Sequence, residues 1–187
     1  IGNALEIKEA IATLSGQGPA DLTDLSLALG SQMVYLADKA PSVEAAAKML
    51  KENIRNGKAL ATLHRFIQAQ GGNPDLITDP SLFQEAKYQI AVPTKKSGYV
   101  TKIKAQEIGH AAMMLGAGRE TKDSVIDLSV GIILHKKIGD KVELGDTLCT
   151  IHANDENVGK VIEKITNNVT IESEKTKSKQ LILKSIQ

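Results

Sequence analysis

The strongest constraint on this chain is a change of period near residue 85. Before it, apolar residues recur at helical spacing; after it, they alternate as strands require. A chain patterned in this way is neither one helical bundle nor one sheet. It reads as α+β, with a helical portion over residues 1–85 and a mixed portion over 86–187. Aromatic residues make up only 3% of it, so its cores must be built from Leu, Ile, Val, Ala and Met.

The helical portion resolves into four segments. Ala4, Ile7, Ile11 and Leu14 predict a first helix that stops at Gly16. Pro19 opens a second, whose apolar face is Leu22, Leu25, Leu29, Met33 and Leu36. Ser42 caps a third, with Val43, Ala46, Ala47, Leu50 and Ile54 as its buried stripe. Gly57 ends or kinks that helix, and Leu60, Leu63 and Ile67 continue to a stop at Gly71 and Gly72. Such helices form either a bundle of their own or the closing helices of a larger α/β domain. The chain opens "IGNALEIKEA", without methionine and directly in helix-forming sequence. That favours the second arrangement, with an upstream part missing.

Beyond the loop "GGNPDLITDPSLF", strands are expected at Lys87–Val92 and Gly98–Ala105, and a short helix over Gln106–Leu115 that ends at Gly116. "SVIDLSVGIILHK" is strand-rich. A helix carrying Val158, Val161, Ile162 and Ile165 follows, capped by Asn154 or Asp155, and "VTIES" is a last strand. The end, "EKTKSKQLILKSIQ", reads as an edge strand or a loosely docked tail.

Bulk properties exclude several classes. The formal net charge is +1, which supplies no global attraction to nucleic acid or an acidic membrane. No apolar run approaches the roughly 18 residues of a membrane span. The single cysteine, Cys149, precludes an internal disulfide and suits a reducing, cytoplasmic setting.

The stretch "KKIGDKVELGDTLCTI", residues 136–151, carries two Gly-Asp pairs. They are the turns of a small barrel hairpin, with Ile138, Val142, Leu144 and Leu148 directed at a core. Carrier domains for lipoyl or biotinyl groups use such hairpins, but they need an exposed acceptor lysine. The nearest comparable segment, "HAAMMLGAG", has Met113 and Met114 and no lysine between them. The carrier reading therefore lacks its essential residue, and the methionines read as core packing.

Other candidates are weaker. "GAGRETK", Gly116–Lys122, can offer backbone N–H groups and positive charge to an anion. It matches no phosphate-loop or dinucleotide fingerprint, and locally it reads as a helix-to-strand turn. Glu6 and Glu9 lie one turn apart, as a cation or acid/base pair would, but a solvated helix face explains them as well. His64, His110, His135 and His152 have no zinc-ligand spacing. Cys149 reads as a buried, inert thiol, and Arg55, Lys58 and Arg65 as a solvated basic face. A non-catalytic binding or scaffold module stays open on these residues alone.

Taken in order, "GNALEIKEAI", "SGYVTKI" and "IGHAAMMLGAGRETKDSVIDLSVGIILHKKIGDKVELGDTLCTIH" resemble the pyrimidine-nucleoside phosphorylase family, thymidine phosphorylases included. The resemblance reaches all but the C-terminal end. Members are roughly twice as long as this chain. The resemblance implies that residues 1–85 complete a large α/β catalytic domain, and that 86–187 form a C-terminal α/β-hammerhead, or barrel-sandwich-like, domain. It implies phosphate and a pyrimidine nucleoside as substrates, a homodimer when intact, and no organic cofactor. The family's phosphate loop and base-contacting residues lie upstream of "GNALE", so no catalytic or substrate-binding residue is assigned here, and the chain alone is expected to be inactive. A potassium ion in bacterial members implies a metal-ligand role for Glu9, in a site incomplete within this chain. The loop carrying Gly116, Gly118 and Arg119 is implied to order when the active-site cleft closes.

Overall fold

A computed structural model describes residues 1–176, 180–184 and 186. By contact it divides into one unit of Ile1–Glu6 and Phe83–Lys179 and another of Ile7–Leu82 and Gln180–Gln187.

The helical unit is built from α1 (Asn3–Leu14), α2 (Ala20–Leu36), α3 (Val43–Arg55) and α4 (Lys58–Ala69), followed by short 3-10 turns at Pro74–Ile77 and Pro80–Leu82. The first turn of α1 belongs to the other unit. Ser42 caps α3 as its sequence requires, extended in backbone and accepting from the Ala45 N–H at 3.2 Å. Gly57, left-handed at φ 79°, separates α3 from α4.

Burial departs from the helical pattern in this unit. In the α3 stripe only Ala46 is fully buried, and Val43, Ala47, Leu50 and Ile54 are half-buried. Ile7 is exposed. The outer half of the α2 face is open: Met33 is 68% and Leu36 76% exposed, with Leu29 exposed beside them. The reason is the packing direction. α2 meets α3 where Gly30 approaches Leu50 and Ser31 is buried, which turns the Leu29–Met33–Leu36 stripe outward.

The mixed unit holds β1 (Tyr88–Pro93), β2 (Gly98–Ile103), α5 (Ala105–Met114), β3 (Gly131–Leu134), β4 (Lys141–Val142), β5 (Thr147–Ala153), α6 (Gly159–Asn167) and β6 (Val169–Glu172). The strands form two antiparallel three-stranded sheets, ordered β1-β5-β3 and β4-β2-β6, and no closed barrel among the described residues. β5 is central because its residues are apolar on the covered face: Cys149, Ile151 and Ala153 are buried with Leu148. Opposite Ile151 stand Ile90 on β1 and Ile132 on β3. This face packs with Ile108, Ala111 and Ala112 of α5 and Val161 and Ile165 of α6 in one core. Val100, Val142 and Ile171 form a smaller cluster in the second sheet, and Ile103 and Val169 pack against both clusters.

The paired Gly-Asp turns form as their chemistry dictates. Gly139 and Gly145 have φ of 101° and 91°. The Asp140 carboxylate accepts from the Lys137 N–H at 2.7 Å, and that of Asp146 from the Glu143 N–H at 3.2 Å and Lys136 Nζ at 3.0 Å. Val142 and Leu148 are buried and Ile138 half-buried, but Leu144 is 70% exposed. The turn holds Leu144 outward, where its N–H donates to Ser97 Oγ at 2.9 Å.

Three other expectations are corrected. Ser124–Val130 is irregular, and only Gly131–Leu134 of that stretch is strand. Neither Asn154 nor Asp155 caps α6, which begins after Val158 without a side-chain cap; Asp155 accepts from Asn157 N–H, and Asn154 is engaged elsewhere. Met113 is half-buried and Met114 exposed, so neither is fully in the core. The expected edge strand or tail over 174–187 falls partly on 177–179, 185 and 187, outside the described residues. Among those described, no strand follows Glu172, and Leu181, Ile182, Leu183 and Ile186 are exposed.

Cys149 is buried on β5, and burial alone pushes its thiol up to about 11. A raised thiol pKa makes the folded state bind the proton more tightly than the unfolded chain. Its contribution to stability is present below the ordinary thiol value of about 8.5 and is lost as pH rises toward 11. At pH 8 the native thiol is expected to resist iodoacetamide while the denatured chain reacts fully. Rapid native alkylation, read by mass, would contradict this burial.

Candidate functional site

The sequence motifs converge at the C-terminal end of α5. α5, capped at Leu115, is terminated by Gly116 in the left-handed region at φ 100°, with Gly116 N–H donating to the Met113 carbonyl and Ala117 N–H to that of Ala112. The Gly116 carbonyl then accepts from the Asp127 N–H at 2.9 Å. This bond closes residues 117–126 into a loop. A turn at its tip is held by Thr121 N–H donating to Ser124 Oγ at 3.1 Å and Ser124 N–H to the Thr121 carbonyl at 3.1 Å. Arg119, Glu120, Lys122 and Asp123 are exposed around it, and Val125 is 91% exposed.

The first residues of the chain brace this loop. The Ile1 amino group donates to the Ile132 carbonyl, and Ile132 N–H to the Ile1 carbonyl, both at 2.8 Å. Asn3 Nδ2 donates to the Ala117 carbonyl at 3.1 Å and Ala4 N–H to the Leu128 carbonyl at 3.0 Å, so one turn of α1 touches both stems of the loop. Glu6 Oε1 accepts from the Gly2 N–H at 3.1 Å, which caps the helix start. Gly2 and Gly131 are buried against each other. A Cβ at Gly2 would lie 2.6 Å from the Val130 oxygen, and one at Gly131 would lie closer still to the Ile1 oxygen. A cavity of about 170 Å³ remains here, lined by Ile1, Asn3, Glu6, Met113 and Gly118 among others.

Asp127 ties the loop to the strands. Its Oδ1 accepts from Ser129 N–H at 2.9 Å and Ser129 Oγ at 2.6 Å, and its Oδ2 from Asn154 Nδ2 at 2.7 Å. Asn154 Oδ1 accepts in turn from the Lys87 N–H at 2.9 Å. Partial burial raises the Asp127 pKa, but the bonds from Ser129 and Asn154 outweigh it and hold the carboxyl below its usual value. Sequence reasoning did not single out Asp127 or Ser129, and it read Asn154 only as a helix cap. The Asp-x-Ser spacing signals a local turn, whereas nothing local joins residue 127 to residue 154.

The remaining sequence candidates lie apart from this constellation. Glu9 is exposed on α1, and its backbone carbonyl accepts from Thr13 Oγ1 at 2.8 Å. Among the described residues no group of three or more His, Cys, Asp or Glu side chains is placed to hold a metal. His110 lies 3.8 Å from Glu107, which is paired with Lys164 at 2.7 Å, and His135 Nε2 lies 2.7 Å from Thr150 Oγ1. Arg55 pairs with Glu52 on an exposed face, and Arg65 bonds Thr62 Oγ1. His64 lines a cavity of about 1370 Å³ in the helical unit with Leu22, Leu50, Ile54, Leu60 and Leu63. That lining is mostly apolar, carries Ser26, Lys58 and several threonines, and includes no carboxylate. What the geometry offers is an exposed loop with its ends fixed.

Residues 99–172 match the family model of the pyrimidine nucleoside phosphorylase C-terminal domain. The chain is 53% identical over 173 residues to a pyrimidine-nucleoside phosphorylase of Staphylococcus epidermidis. It is 55% identical over 174 residues to one of Bacillus subtilis, and 55% identical over 171 to one of Staphylococcus aureus. These alignments cover 92%, 93% and 91% of this chain and 40% of each relative. The chain thus spans about 40% of the length of the curated relatives it matches.

Proposed function

We propose, given that this chain belongs to the pyrimidine-nucleoside phosphorylase family, that it serves an enzyme of reversible phosphorolysis acting on thymidine- and uridine-type nucleosides. The observation that carries this reading is identity of 53–55%, sustained over more than nine-tenths of the chain, to relatives bearing that name. In the reaction a phosphate oxygen bonds to C1′ of the sugar as the C1′–N1 bond breaks. The bonding electrons pass to the pyrimidine ring, whose N1 ends with the proton that the phosphate brought, and the sugar leaves as its 1-phosphate. Such chemistry depends on positioning and on donors where charge develops.

No residue of this chain takes a reacting role in this reading. Residues 1–85 complete the α/β catalytic domain, and 86–187 form the hammerhead domain. The intact enzyme is a homodimer, and a potassium ion has Glu9 as one of its ligands; no step is routed through that ion. The loop of Gly116, Gly118 and Arg119 orders over the closing cleft and excludes water. Its fixed ends and exposed tip support this assignment.

The test is phosphate-dependent release of thymine and uracil from thymidine and uridine, by this chain alone and by the full polypeptide that carries it. Activity is expected only in the second; activity in neither overturns the enzyme reading and leaves a non-catalytic binding module. Within the active protein, Arg119→Ala is expected to lower turnover about tenfold while shifting the unfolding midpoint little, since an exposed side chain contributes little to stability. An unchanged rate with saturating substrates would remove the loop from the mechanism.

A further inference from the structure

We propose that Asp127 is a positioning residue: through Ser129 and Asn154 it locks the C-terminal stem of the 117–126 loop to the strands of its unit. Asn154 must turn its carbonyl oxygen toward the Lys87 N–H, which leaves its NH₂ group facing Asp127. Ser129 presents two further donors, its N–H and its hydroxyl, to the other oxygen of the same carboxylate. Only an acceptor on both oxygens satisfies all three, and a carboxylate is the side chain that provides it. Ser129 is buried and Asp127 and Asn154 are half-buried, so water does not fully replace a lost partner.

Position makes this lock consequential. Asn154 directly follows β5, and Lys87 directly precedes β1. The Asp127 N–H closes the loop on the Gly116 carbonyl, while Asn3 holds the opposite stem at Ala117. The carboxylate therefore anchors the loop to the paired β1–β5 strands and leaves its exposed residues, Arg119 and Val125 among them, as the part free to move. The consequence for turnover rests on the closure reading given above; the lock itself does not.

A polarity swap tests it. In Asp127→Asn, either orientation of the new amide sets a donor against a donor, at Ser129 or at Asn154; flipping Asn154 only transfers the conflict to the Lys87 N–H. The double variant D127N/N154D restores the 127–154 and Lys87 bonds, because the amide introduced at position 127 then donates to a carboxylate at position 154 whose second oxygen accepts from Lys87; only the donation from residue 154 to Ser129 Oγ is lost. In the full polypeptide, D127N is expected to accelerate amide exchange across 117–128 about tenfold, and the double variant to return it to within about twofold of wild type. In D127N kcat is expected to fall about fivefold with KM changed less than about twofold, and in the double variant to recover. Exchange unchanged in D127N, or not restored by the swap, overturns the proposal. Exchange raised and restored with kcat constant throughout upholds the lock and removes the closure reading. Should D127N fail to fold, Ser129→Ala deletes the hydroxyl that donates to Asp127 and accepts from Asn154 Nδ2, and about threefold faster exchange is expected; no acceleration there overturns the proposal as well.

Discussion

Replacing Ile151 by alanine is expected to destabilise the strand-bearing unit by about 3–4 kcal/mol, within the range for isoleucine truncation in a core. The effect is placed above the low end of that range because the site cannot collapse. Ile151 is fully buried on the central strand, and its register partners Ile90 and Ile132 lie on strands hydrogen-bonded to it from either side. Those backbones are fixed by their own ladders, so neighbouring side chains can close only part of the void. Ile108 and Ile165, from α5 and α6, are themselves fully buried in the same core. Ile151→Val removes one methylene and is expected to cost only about 0.5–1.5 kcal/mol. Denaturant unfolding followed by far-ultraviolet circular dichroism, with amide exchange on β5 to assign the unit, measures both. An alanine variant within about 1 kcal/mol of wild type would mean that β5 is not the centre of this core.

The second large effect is expected at Gly131. An alanine there would bring its Cβ far inside contact distance of the Ile1 oxygen and to 3.0 Å from Leu5 Cδ1. The leucine can rotate away, but the carbonyl cannot, because it accepts from the Ile132 N–H. Either the pairing of Ile1 with Ile132 breaks or the start of β3 shifts. Overpacking of this kind costs about 2–3 kcal/mol. Gly2→Ala meets the Val130 oxygen at 2.6 Å and should separate the same two segments. Because each change alone parts the contact, the double variant is expected to cost clearly less than the sum. Exchange of the Ala4 and Ile132 amides is expected to rise in both single variants. Full additivity, or protection of Ala4 unchanged in Gly131→Ala, would show that the two glycines do not share one contact.

The parts of the fold legible in the sequence rest on short-range physics. The Ser42 cap, the turns at Gly139 and Gly145 with their Asp140 and Asp146 bonds, and the buried thiol of Cys149 each depend on neighbours a few residues away or on a simple alternation. Local pattern places helix α5 within a residue of its observed limits for the same reason. Leu144 shows where alternation misleads: it lies in the right phase, but the turn around Gly145 breaks the strand and holds it in solvent. Asn154 shows the same for capping. Its position before a helix predicts a cap, yet the Asp127 carboxylate and the Lys87 N–H hold its side chain elsewhere.

The sequence by itself determined the change from helical to strand period, the punctuation between elements, and the motifs that place this chain beside pyrimidine-nucleoside phosphorylases. It also marked GAGR as unusual without saying what surrounds it. Tertiary structure alone decided that Ile1 pairs with Ile132, that Asn3 and Ala4 reach Ala117 and Leu128, and that Asp127 meets Asn154. It alone turned Leu29, Met33 and Leu36 outward while burying Ala46. The physical reason is the same in each case. An apolar stripe or an acceptor-rich side chain states that a partner is needed, but partners far along the chain are selected by the packing of whole elements, and the local sequence does not encode which element arrives.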